Sequence, residues 1–351
     1  FEEIRWLGTS DLDEHEPFGF ADGISQPHID WEHRRDPRGA QVVYSNVVAT
    51  GELLLGYSNE YGKFTDRPLV DADGASAELL PALDAPEKRD VGRNGTYLVM
   101  RHLRQDVRGF WQFVHRQSDG DPVTAEQLAA AMVGRTRAGD PLVPVQQEEI
   151  PGIGRSPTEA RQNRFTYDED PAGIRCPFGA HLRRANPRNG DYPGRPSRLA
   201  RLITLLGFGP RNFRDDLMSS VRFHRILRRG REFGPGLSPE DALAPAPPNE
   251  PERGLHFICL NANISRQFEF LQNAWIMSTK FSGLSGESDP LLGNREPIQG
   301  CPATDEFVIP QEGGLCRRVS GLPPFVTVRG GEYFFLPGLR ALRYLVGARG
   351  E

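Results

Sequence analysis

Lysine is almost missing from this chain. Of the 42 basic residues among 351, only Lys63, Lys88 and Lys280 are lysines, and the 47 acidic residues leave a formal net charge of −5. There is no positive excess of the kind that wraps nucleic acid or coats an anionic membrane surface. No apolar run approaches the roughly 18 residues of a bilayer span, and no charged-then-apolar leader opens the sequence. Neither a nucleic-acid partner nor membrane association is expected. Cysteine is scarce too. Cys176, Cys259, Cys301 and Cys316 are too few and too scattered for a disulfide scaffold, so a reducing compartment, the cytoplasm, is the expected location. Cys259 stands in an apolar run and reads as core.

What is present is an ordinary globular composition, 38% hydrophobic and 25% charged, with 38 glycines and 30 prolines that imply many loops. A chain of this length accommodates two domains. The Pro-, Gly- and Gln-rich stretch at 136–165 suggests a division into residues 1–150 and 151–351. Strands are expected at 41–46 (QVVYSN), 52–57 (ELLLGY), 95–103 (GTYLVMRHL) and 254–261 (GLHFICLN), and a hairpin turning through Arg329, Gly330 and Gly331 within 325–336. Helices are expected at 104–117, where Val107, Phe110, Trp111 and Val114 share one face, after a Thr124/Gln127 capping box closed by Gly134, at 264–276, and at 337–346 with Pro337 in the first turn. Interleaved strands and helices with few long crossovers favour an α+β fold with antiparallel sheets.

Three stretches could carry chemistry. In EPFGFADGISQP (16–27), Asp22 is held between glycines beside Phe18, Phe20 and Ile24, and an isolated charge there is costly to bury without a cationic partner. In CPFGAHLRRANPR (176–188), His181 lies among apolar neighbours with arginines close behind. That arrangement suits an imidazole bound to a metal whose carrier also bears negative groups, as haem does, although a satisfied core histidine is the plain alternative. Zinc fails on ligand number, and the lack of a CxxCH motif disfavours covalent haem attachment. In FHRILRRGREFG (223–234), Arg228 or Arg229 offers the cation that could answer Asp22, and a solvated basic face is the plain alternative there.

Taken together the three stretches resemble the dye-decolourising peroxidases. GFADG (19–23) is similar to that family's GxxDG signature, GAHLRRANPR (179–188) to its proximal-histidine segment and RILRRG (225–230) to its distal-arginine segment. Further similarity runs through NGTYLVMRHLRQDV, ESDPLLG and VTVRGGEYFFLPGLRALRYL, so the resemblance covers nearly the whole chain. It implies two ferredoxin-like α+β domains with antiparallel sheets flanked by helices, of the dimeric α+β barrel type. The N-terminal domain carries GxxDG and is expected to lack its upstream part, and haem lies in the C-terminal domain. It implies one haem b per chain with His181 as iron ligand, Asp22 and Arg228 as catalytic residues, and Gly23, Ile24, Ser25, Arg188, Leu255 and Phe257 as haem-binding positions, with Arg188 meeting a propionate. It implies reduction of hydrogen peroxide and oxidation of dyes, phenolics or similar donors, with a homo-oligomeric state left open. Haem binding or delivery without turnover is the alternative. The carboxylate behind His181 stays open among Glu269, Glu287 and Asp289, with Asn263 near where some relatives place an acid. Trp275 and Tyr344 are candidates for electron relay.

Overall fold

The computed structural model describes residues 7–32, 46–145, 157–188, 220–297, 299 and 304–347. Within these, the strands are β1 (His28–Ile29), β2 (Val47–Val48), β3 (Leu69–Asp71), β4 (Lys88–Asp90), β5 (Thr96–Gln105), β6 (Leu227–Arg228), β7 (Arg231–Phe233), β8 (Gly254–Asn261), β9 (Phe307–Ile309), β10 (Arg317–Val319) and β11 (Val326–Leu336). The helices are α1 (Val107–Arg116), α2 (Pro122–Val133), α3 (Pro157–Asn163), α4 (His181–Ala185), α5 (Pro239–Ala242) and α6 (Leu339–Gly347).

The largest sheet has five strands in the order β11-β5-β8-β6, with β7 also on β8, and all its pairings are antiparallel. It joins β5, from before residue 150, to strands that all come after it. β3 with β4 and β9 with β10 form antiparallel pairs, and β1 with β2 a short parallel one. The expected α+β class with antiparallel sheets is borne out, and among the described residues these sheets do not close into a barrel.

The register of the large sheet positions the site. Leu103 pairs with Leu255, Arg101 with Phe257, and Gln105 with Val326, while Arg228 on β6 pairs with Cys259. Side chains alternate with a period of two, so Leu103, Gln105, Leu255, Phe257, Val326 and Arg228 share one face. Gly254, at the start of β8, lets the strands meet. A β-carbon built there would lie 1.9 Å from the Leu103 carbonyl oxygen. Gly254→Ala is therefore expected to destabilise the fold by roughly 1–3 kcal/mol, the usual cost of overpacking, read as a lower midpoint in urea unfolding.

The core lies against α1 and α2. Asp106 caps α1 by accepting from the Gly109 N–H at 2.9 Å, and Val107, Phe110, Trp111, Phe113 and Val114 are all buried. The start of α2 differs from expectation. Asp121, not Thr124, is its cap, accepting from the Val123 and Thr124 amides, with Pro122 in the first turn and Gly134 left-handed at the end. An aspartate followed by proline supplies both the acceptor and the preset φ that a first turn needs.

Two further expectations are corrected. Residues 52–57 form no strand. A 3-10 turn at Thr50–Glu52 replaces it, with Glu52 buried and accepting from the Glu60 amide at 2.9 Å. A short apolar run reads alike as strand or buried turn. Residues 325–336 form one strand, β11, not a hairpin. A register shift between Val328 and Gly330 absorbs one residue, and a β-carbon at Gly331 would meet the Met100 carbonyl at 2.4 Å. The glycine pair serves a bulge and a close approach, not a reversal. Residues 41–45 of the expected first strand lie outside the described residues, as does Cys301.

Candidate active site

The loop at 14–27 is anchored through its aromatic residues. Phe18 and Phe20 are buried, Phe18 against Phe110 at 4.8 Å between ring centroids, and the Trp111 indole N–H donates to the Phe18 carbonyl at 3.1 Å. Gly19 and Gly23 have φ of +90° and +75°, values that only glycine adopts without strain. Nothing stands within 4 Å of a β-carbon built on Gly23. Its glycine is needed for the bend rather than for space.

Arg228 meets this loop at three points. Its guanidinium donates to Asp22 Oδ1 at 3.1 Å and to the Ile24 carbonyl at 2.7 Å, and its backbone N–H donates to Gln26 Oε1 at 3.0 Å. The two side chains are 33% and 37% exposed. At that exposure the ion pair adds little to stability, and its effect is to fix the direction in which the carboxylate points.

Ser25 follows with φ of +62°. Its Oγ accepts from Arg135 at 3.1 Å and Arg188 at 3.0 Å, and donates to Asn163 Oδ1. Arg188 is fully buried behind Ser25, where it also binds the Asn163 and Phe165 carbonyls at 3.0 and 3.1 Å.

His181 opens α4. Its Nδ1 lies 2.9 Å from Asp289 Oδ2. Asp289 Oδ1 accepts from the Leu291 and Leu292 amides at 2.9 and 2.8 Å, so the carboxylate is an acceptor on both oxygens and Nδ1 carries the hydrogen. Burial favours the neutral imidazole, yet the charge and hydrogen bond of Asp289 outweigh it and hold His181 above its ordinary value. Burial likewise pushes Asp289 up, and His181 outweighs it, leaving the carboxyl below its ordinary value. Among the carboxylates left open, Asp289 is thus the partner. Glu269 bonds Ser265 and Tyr333 instead, Glu287 receives the Val308 amide, and Asn263 caps the turn at Arg266.

These groups converge on one cavity of about 290 Å³, near the lower end of the ~300–1,000 Å³ usual for ligand pockets. Asp22, Ile24, Ser25, His181, Arg228, Leu255 and Phe257 line it. Gly23 and Arg188 are not among the lining residues. Its remaining walls are largely apolar, including Phe20, Leu103, Phe268, Leu271 and Trp275. Phe268, Leu271 and Trp275 come from the expected helix at 264–276, which is wound as π-helical turns, Ser265–Glu269 and Leu271–Ile276. Tyr344 packs instead with Leu79, Val91 and Ala341.

Among the lining residues not anticipated are Glu16, Gln105, Arg135 and Arg225. Glu16 stands in the quoted motif, three residues before Gly19. Arg135 directly follows the Gly134 cap of α2. Arg225 donates to Asn186 Oδ1 at 2.8 Å and to Asn46 Oδ1.

Elsewhere in the fold, burial pushes the carboxyl of Glu287 up to about 7, against the Val308 amide and the charge of Arg184, and that of Glu52 likewise to about 7. Protons thus bind the folded state more tightly than the unfolded one. The stability these two groups confer is complete below about 4.5 and lost as the pH rises through about 7. Glu287→Gln is expected to lose less stability than the parent over that interval, measured as midpoint against pH in thermal melts of the haem-free protein. Parallel curves would contradict it.

Compared with solved structures, the fold is that of the dye-decolorizing peroxidases. An ancestral D-type dye-decolorizing peroxidase matches with a TM-score of 0.60 at 26% identity, covering 96% of this chain and 64% of that one. The Auricularia auricula-judae decolorizing peroxidase matches with 0.61 at 26%, covering 94% and 64%. Among curated proteins, the dye-decolorizing peroxidase msp1 of Mycetinis scorodonius is 30% identical over 94% of this chain and 56% of its own length. A multifunctional dye peroxidase of Amycolatopsis sp. is 31% identical over 97% and 62%. The resemblance read from the three motifs is borne out in these relatives' names, and the chain spans about 56–62% of the length of these two curated relatives. No protein-family model matches it. No helix among the described residues is long and apolar enough to cross a membrane.

Proposed function

We propose that this chain is the haem-binding, peroxide-handling part of a peroxidase of the dye-decolorizing kind. The observation that carries the reading is that His181, Asp22 and Arg228, far apart in sequence, line a single apolar-walled cavity.

The donor set fits haem. Nδ1 of His181 is engaged by Asp289, which leaves Nε2 as the ligating nitrogen. The apolar walls suit a porphyrin, and Arg135 and Arg225 on the cavity wall, with Arg188 behind Ser25, suit its propionates. Gly23, Ile24 and Ser25 supply backbone for its edge, and Leu255 and Phe257 wall the pocket. A bare ion fits less well, since the described residues hold no cluster of three or more potential metal-ligating side chains. When bound, haem supplies a redox-active iron at which hydrogen peroxide is reduced and oxidising equivalents are stored.

The chain's own part is proton and charge handling. Asp22, on the cavity wall beside Arg228, would be the group to accept a proton from peroxide and return it to the departing oxygen. Arg228 offers a fixed cation for the negative charge that develops on that oxygen. Because the same guanidinium also grips the Ile24 carbonyl, the acid and the cation are set relative to each other before substrate arrives. Phe20, Phe257 and Phe268 line the same cavity. Dyes, phenolics or similar donors then return the electrons.

The test is reconstitution with haem b followed by peroxide and an anthraquinone dye. One haem per chain with a Soret band, and bleaching that saturates in peroxide, is the expected result. Bound haem destroyed by peroxide without bleaching would point to haem carriage instead, and absence of any Soret shift would overturn the reading.

A further inference from the structure

Resting on that reading, we propose that Glu16 is a positioning residue for Asp22: its carboxylate braces the loop that presents the acid and ties it to β5.

The brace is explicit in the hydrogen bonds. Glu16 Oε2 accepts from the Phe18 amide at 3.0 Å and Oε1 from the Phe20 amide at 3.0 Å. Its backbone closes the same turn, the N–H donating to the Phe20 carbonyl at 2.9 Å and the carbonyl accepting from Gly19 at 2.7 Å. Gln105, the last residue of β5, donates its side-chain amide to Oε2 at 2.7 Å. One carboxylate thus ties the bend ahead of Asp22 to the central strand of the large sheet, next to Leu103 of the cavity face. Asp22 follows two residues after Phe20, its own amide held by the Glu14 carbonyl at 2.9 Å.

The bracing contacts are neutral. None of the three donors is cationic, and the half-buried carboxylate also lines the cavity. An anion in that position is costly, and burial pushes its carboxyl up to about 7, with Asp22 adding to the rise. The charged or titratable groups sharing the cavity are Asp22, Arg135, His181, His224, Arg225 and Arg228. On its own loop stand Glu14 and His15, and Arg137 binds the outer side at the Gly19 carbonyl, 3.3 Å.

Two variants test the brace. Glu16→Gln keeps the shape but offers one acceptor oxygen where the carboxylate has two, and Gln105→Ala keeps the carboxylate and cuts its tether to β5. In the haem-loaded protein, both are expected to slow the reaction with peroxide several-fold. In either the haem-free or the loaded protein, amide hydrogen exchange at Phe18 and Phe20 should speed up at least ten-fold in both variants. Unchanged exchange at these amides, or an unchanged peroxide rate in both variants, would overturn the proposal. Asp22→Asn in the parent background tells the two readings apart. If it leaves the peroxide rate unchanged, the peroxidase reading itself fails, whereas a large Asp22 effect beside an inert Glu16→Gln sinks only the role given to Glu16.

Discussion

His181→Ala is expected to abolish haem uptake. In the proposed site the imidazole is held in place from behind. Asp289 receives its Nδ1 hydrogen, and Asp289 is in turn fixed by the Leu291 and Leu292 amides and flanked by Arg295, which binds the Asp289 and Pro290 carbonyls at 2.8 and 2.6 Å. The other histidine on the cavity wall does not substitute for it. His224 is stacked face to face on Phe270 at 3.6 Å, with its Nδ1 on the Arg266 carbonyl. Removing the His181 ring leaves the arginines and apolar walls, which offer contact without a bond to iron. The check is a haem titration followed at the Soret band, and a variant that retains the full band refutes the ligand assignment. Asp289→Asn keeps the shape and removes the charge, and it should weaken haem binding by about 10–100-fold, the usual cost of losing a carboxylate behind a ligating histidine.

The second large effect is expected at Asp22 and Arg228. Replacing either with alanine should slow the reaction of the haem-loaded protein with peroxide by about 10²-fold or more, in line with loss of an acid–base group or of an oxyanion donor. Arg228→Ala loses two things at once, the cation and the hold on the Ile24 carbonyl. Arg228→Lys therefore serves as the control, because it restores charge without the two-pronged grip. The double alanine variant should be little worse than the worse single one, since groups acting as a unit are not additive. Stopped-flow mixing with peroxide reads all four. Rates within two-fold of the parent for both single variants would remove the catalytic assignment while leaving the haem site standing.

The two motifs that hold these residues were legible because their local chemistry is distinctive. Asp22 stands out as a charge between glycines, and His181 as an imidazole followed by arginines. Elements with strong periodicity were legible too. The strand expected at 254–261 is β8 itself, and α1 lies inside the expected 104–117. The failures share a cause. ELLLGY packs as a buried turn because Glu52 is satisfied by the Glu60 amide, and Arg329–Gly331 continues a strand because β5 pairs with it along its full length. Both outcomes depend on partners distant in the chain. The position of Arg188, whose guanidinium lies behind Ser25, likewise depends on a partner distant in the chain.

By itself, then, the sequence determined which residues could do chemistry and that strands and helices would interleave, since residue type, glycine-enforced bends and hydrophobic period are local properties. Which carboxylate stands behind His181, how the Arg228 guanidinium grips both Asp22 and the Ile24 carbonyl, and that Glu16 and Gln105 join the site were decided only by the tertiary structure. These are pairings across as many as 206 positions of chain, set by strand register and by the packing of Phe18 and Phe20 against α1.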